Sequence, residues 1–178
     1  LRCLVGSEMC IRDRLPVYQD EQFRYLTEKL NGYITGAYIY NKMGLTEQVA
    51  TTITIATPNP VRRFRFKNLD IECVKAYCMV YPDESLVPYL RLLDAIKDMK
   101  RIPGTTGQDI YNRVKSQYFN GYSLPELEKI VSLAKSYPPR VRKVVADILG
   151  DIRQTVLQTE MAKTILPTTR FNLDYKTA

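Results

Sequence analysis

The sequence predicts an α+β fold, a small antiparallel sheet of about three strands with short helices, followed by a C-terminal helical bundle. Three observations carry this. Val49 to Ala56 is a run of β-branched residues, two further strand-like runs follow it across short turns, and beyond Pro82 the apolar spacing changes to threes and fours. With 178 residues, 45% hydrophobic and 25% charged, the chain has a globular balance and length for one domain or two small ones.

Residues 4–14 are set apart first. Leu4 to Arg14, with its uncommon order Met9-Cys10-Ile11, resembles translated sequencing-adapter DNA, so residues 1–14 are excluded from the fold. An adapter fused ahead of Leu15 implies that the natural N-terminus lies upstream and is missing. Cys3 and Cys10 then have no biological role.

From about Gln19 to Asn31, Phe23, Leu26 and Leu30 give a helix one apolar face, and Asn31-Gly32 stops it. A short helix spans Ala37 to Met43, with Tyr38 and Ile39 inward and Gly44 as its stop. Val49 to Ala56, Val61 to Phe66 and Ile71 to Val80 are the expected strands, joined by turns at Pro58-Asn59-Pro60 and Asn68-Leu69-Asp70. Connections this short favour antiparallel pairing of neighbours. Cys73 and Cys78, five apart on the third strand, would point to opposite faces, so they are structural thiols and poor partners for a disulfide or a shared metal.

Helices then follow one another. Val87, Leu90, Leu93, Ile96 and Lys100 mark one that Pro103-Gly104 closes; Ile110, Val114 and Tyr118 mark the next, up to Gly121. Ser123-Leu124-Pro125-Glu126 has the spacing of a capping box for a helix over Leu127 to Ser136. Pro138-Pro139 ends that helix and opens another, whose apolar face is Val141, Val144, Val145, Ile148, Leu149 and Ile152, with Gly150 kinking or ending it. Arg140, Lys143 and Asp147 fall off that stripe and belong to a solvated face. The expected organisation is one domain over 15–163, in a mixed half (15–82) and a helical half (83–163), with 164–178 a flexible tail.

The chemistry is sparse. No histidine occurs, which removes the commonest general base and transition-metal ligand. Gly104-Thr105-Thr106-Gly107 has neither the lysine nor the preceding strand of a phosphate loop, and reads as a loop. Asp94 and Asp98, four apart on one helix, have Lys97, Lys100 and Arg101 beside them and read as solvated ion pairs. Tyr33, Tyr38 and Tyr40 are expected buried with bonded hydroxyls. The formal charge of +7 favours anionic partners, yet the basic run Arg62 to Lys67 alternates as a half-wet strand does. Neither a cofactor, nor a metal, nor catalysis is expected. No apolar run approaches the roughly 20 residues of a membrane span, so a cytoplasmic protein without membrane contact is expected.

Gly32-Tyr33-Ile34-Thr35-Gly36 and Tyr40-Asn41-Lys42-Met43-Gly44-Leu45-Thr46-Glu47-Gln48-Val49 resemble the AbiEi-type antitoxin family. So do the strands through Ile53 and Ile55 and to Val74-Lys75, the segment Leu93 to Asp98, the stretch Lys100 to Thr105, and Lys135 to Arg142. The resemblance covers about residues 19–150, with Glu47 standing where threonine is more usual. It implies neutralisation of an AbiEii-type nucleotidyltransferase toxin, and operator DNA bound through a winged helix-turn-helix ahead of this domain, which this chain lacks. Gly36, Gly44, Leu45, Thr46, Gln48, Pro138 and Pro139 are its motif residues, with structural roles. Charge alone nominates Arg140, Arg142 and Lys143 as the partner-binding surface. A DNA-binding regulator of its own operon, and less readily an enzyme with converging carboxylates, are the rival readings.

Overall fold

A computed structural model describes residues 19–58, 62–78 and 83–176. The adapter-like stretch, Asn59-Pro60 of the first expected turn, and Val80 and Pro82 lie outside the described residues. Helix α1, described over 19–30, leads into β1 (Tyr33–Thr35), α2 (Ala37–Lys42), β2 (Thr52–Thr57), β3 (Arg62–Phe66) and β4 (Leu69–Lys75). Among the described residues five helices follow: α3 (Val87–Asp98), α4 (Gly107–Gln117), α5 (Leu124–Ala134), α6 (Pro139–Asp151) and α7 (Thr155–Lys163), with a 3-10 turn at Phe119–Gly121 after α4. The fold is α+β, with the helices after the sheet.

The sheet differs from the expected one. Among the described residues it has four strands in the order β1-β2-β4-β3, and β2 pairs with β4 in parallel, while β1–β2 and β3–β4 are antiparallel. Short connections favoured sequential neighbours, but burial decided the order. Ile71 and Cys73 of β4 align with Ile53 and Ile55 of β2 in the interior, whereas β3 carries Arg62, Arg63 and Arg65 and stays at the edge, where charge is tolerated. β1 is too short to show a period of two, and no signal in the sequence marked it. β2 begins at Thr52 and leaves Val49 exposed.

The pleat sends alternate residues to two cores. Ile34, Ile53, Ile55, Ile71 and Cys73 meet Phe23, Leu26 and Leu30 of α1. Tyr33, Ala56 and the half-buried Val74, on the other face, join the larger core built by the helices. β4 ends at Lys75, so Cys78 lies beyond the strand; both thiols are free and buried, and Cys78 Sγ points to the Leu133 carbonyl at 3.7 Å.

The helix starts follow cap chemistry. Glu126 accepts from both the amide and the hydroxyl of Ser123, so α5 begins at Leu124, one turn earlier than its apolar spacing predicted. Thr106 and Asp109 form a second capping box on α4, which the loop reading of Gly104 to Gly107 missed. α6 passes through Gly150, and the break falls at Ile152 to Gln154, where Arg153 takes φ 63°. The expected flexible tail is docked: Tyr175 is buried against α4 and α6. Among the described residues no helix is long and apolar enough to cross a membrane.

Candidate functional site

Asp94 organises the middle of the molecule. The α3 segment Leu92 to Ile96 is buried on every side, so the carboxylate is enclosed at 2% exposure. Oδ2 accepts from Tyr33 OH and Thr35 Oγ1, both at 2.9 Å, and Oδ1 from Tyr137 OH at 3.2 Å and Lys97 Nζ at 3.3 Å. One turn on, Asp98 accepts from Tyr40 OH at 2.8 Å. The expectation of a solvated face at Asp94 and Asp98 is therefore corrected. The sequence did carry a signal, an acid in an unbroken apolar helical run, but the flanking lysine and arginine outweighed it.

Burial pushes the Asp94 carboxyl above its ordinary range, against the opposing pull of Lys97, Thr35 and Tyr33. Burial also raises the phenols of Tyr33, Tyr40 and Tyr137, so they donate hydrogen bonds and keep their protons at neutral pH. A carboxylate with four donors committed and no access to solvent is a bracket: it ties β1, α3 and the α5–α6 turn together.

Gly36, Gly44, Leu45, Thr46 and Gln48 form a second joint. Gly36 (φ 77°) and Gly44 (φ 69°) bound α2 in left-handed conformations, and a Cβ on Gly36 would lie 2.6 Å from Thr54 Oγ1. Leu45 is fully buried. Thr46 Oγ1 donates to the Pro103 carbonyl at 2.7 Å and accepts from the Gln48 amide, while Asn41 holds the Thr46 carbonyl. The Gln48 side chain lies against Gly104. Thus the Gly44 to Gln48 stretch meets the α3–α4 connection, two segments about sixty residues apart in sequence.

Pro138 and Pro139 start α6, with the Val141 amide bonded to the Pro138 carbonyl. Arg140, Arg142 and Lys143 on its first turns are half-buried and point to three separate partners within the chain. Arg140 reaches Asp174 at 3.1 Å, Arg142 the Thr164 carbonyl and Lys143 the Asp147 carboxylate. Asp147, expected on a solvated face, is buried, because the docked C-terminal segment brings Tyr175 OH to it at 3.0 Å. Sequence reasoning missed Asp174 and Tyr175 entirely, since one acid and one tyrosine in a segment without periodicity leave no pattern.

The basic run lies on β3, where Arg63 pairs with Glu72 and Arg65 with Asp70, the half-wet strand that alternation predicted. Phe66 stacks on Tyr25 of α1 at 5.7 Å beside a shallow depression that Glu21, Gln22 and Lys67 complete. Among the described residues, no three His, Cys, Asp or Glu side chains are grouped to hold a metal ion. Comparison with protein-family models, with curated proteins and with solved structures gave no significant match.

Proposed function

We propose that this chain carries the neutralising domain of an AbiEi-type antitoxin, which acts in the bacterial cytoplasm against an AbiEii-type nucleotidyltransferase toxin and catalyses no reaction itself. One observation supports this above the rest. The separate segments that resemble the family interlock: Thr46 bonds Pro103, Tyr40 bonds Asp98, and Tyr33, Thr35 and Tyr137 meet on Asp94. Residues that resemble the family in sequence are thus the ones that hold these segments in one arrangement. The first turns of α6, with Arg140, Arg142 and Lys143, are the proposed toxin-facing surface.

Co-expression with a nucleotidyltransferase toxin of the AbiEii type tests the reading. Growth should return in cells that the toxin alone arrests. Continued arrest by the toxin, with this chain soluble and folded, would overturn the proposal. Replacing Arg140, Arg142 and Lys143 together by glutamine, which removes their charge without setting an acid against Asp147 or Asp174, should abolish rescue in a variant that circular dichroism shows to be folded; full rescue by that folded variant would remove α6 from the contact surface.

A second reading has one supporting observation, the exposed arginines of β3 on a chain of charge +7. In an autorepressor, operator binding by this chain would weaken steeply with salt as counterions are released. A gel shift across a salt series separates it from the first.

A further inference from the structure

The C-terminal segment Leu173 to Lys176 is held like a bound peptide. Leu173 packs on the helical core. Asp174 takes Lys100 Nζ on one oxygen at 2.9 Å and Arg140 Nη2 on the other at 3.1 Å. Tyr175 slides under Tyr111, ring centres 4.3 Å apart and nearly parallel at 11°, and its hydroxyl donates to Asp147 at 3.0 Å. At Lys176 the Gln108 amide bonds the backbone both ways, accepting from the N–H at 2.7 Å and donating to the carbonyl at 3.4 Å, as a neighbouring strand would.

These contacts divide into an anionic corner, an aromatic slot and a backbone clamp, each reading one feature of an extended chain. We propose that the groove between α4 and α6 is a recognition site for an extended peptide bearing consecutive aspartate and tyrosine on a partner protein, and that Leu173 to Lys176 occupy it within the chain as a replaceable internal ligand.

Charge and shape define the occupant. Lys100 and Arg140 require an acid ahead of the ring, Asp147 requires a hydroxyl on it, and the flat Tyr111 face requires the ring itself. Gly107 leaves no room beside the acid, since a Cβ there would stand 2.9 Å from Asp174 Cβ. Replacement is feasible because only Tyr175 is anchored by burial. The ion pairs of Asp174 are about one-third exposed on both sides, where such pairs contribute little and are screened by salt. Residues 164–172, which join α7 to the segment, carry no helix or strand and leave Leu166 exposed. Arg140 also keeps its buried Nε without a partner, so the groove holds a donor that the internal ligand does not use.

The test uses the whole chain and a labelled peptide with the sequence of residues 170–176. In the unchanged chain the internal segment competes at high effective concentration, so the peptide should bind about tenfold or more weakly than it binds the chain carrying Asp174→Ala and Tyr175→Ala. Replacing the peptide's tyrosine by alanine should abolish binding, while replacing that tyrosine by phenylalanine or the aspartate by alanine should weaken it. A peptide that binds neither chain, while circular dichroism shows the variant folded, overturns the proposal. If the double variant does not fold, a protease site placed in residues 164–172 of the otherwise unchanged chain and cut after folding gives the second measurement. The labelled peptide should then exchange with the cut segment; a segment that stays bound and never exchanges makes it a fixed part of the core. Neither readout involves a toxin, so the outcome is independent of the function proposed above.

Discussion

Asp94 concentrates more of the fold on one atom pair than any other polar residue described. Replacing it with alanine leaves Tyr33, Thr35, Tyr137 and Lys97 without their acceptor, and removing one partner of a buried pair typically costs about 3–5 kcal/mol. Asp94→Ala should therefore lower the unfolding free energy read from urea denaturation by an amount of that order. Asp94→Asn, which keeps an acceptor oxygen and removes a charge that burial already disfavours, should cost clearly less. Equal losses in the two variants would mean that the charge, not the hydrogen bonding, holds the bracket. Gly36→Ala is a steric test of the same region. With φ at 77° and Thr54 in the way, it should destabilise by about 1–3 kcal/mol, whereas Gly44→Ala, whose Cβ would meet open space, should cost less.

At the scale of elements, the caps set where helices begin and how they answer to acid. Thr106→Ala and Ser123→Ala should each lower stability by about 1 kcal/mol, read from chemical denaturation. Their carboxylate partners carry a pH signature. Hydrogen bonds from Thr106 and Ser123 hold the Asp109 and Glu126 carboxyls below their ordinary values, and Lys100, with Arg140, does the same for Asp174. A carboxyl lowered in the folded state gives stability that is complete above the ordinary titration range, about pH 4, and is lost as the pH falls through the lowered folded value. The melting temperature should accordingly drop below about pH 4, and the drop should be shallower in the Thr106→Ala, Ser123→Ala double variant; unchanged acid limbs would show that these caps do not hold in solution. Cap spacing made the α5 start legible in advance. The α4 start was equally legible in Thr106 and Asp109, but the glycines around them drew the reading toward a loop.

Across the whole molecule, the helical core extends through Tyr33 and Ala56 into the sheet, and Asp94 binds the two halves polar group to polar group. Unfolding should consequently be a single transition, with calorimetric and van't Hoff enthalpies equal; two separate transitions would mean that residues 15–82 and 83–163 fold independently. The amphipathic spacing of α1, α3, α4, α5 and α6, the β-branched run of β2 and the alternation of β3 were legible from the chain alone, because each depends on which side of one element faces water. The α+β class follows from those local periods. Strand order, the parallel β2–β4 pair, the enclosure of Asp94 and the docking of Tyr175 were decided only by tertiary structure. They are settled by which distant surfaces come together, and the energy of enclosing a carboxylate or a ring depends on neighbours sixty residues away, or in the case of Tyr175 and Tyr111 about as far, that no local spacing encodes.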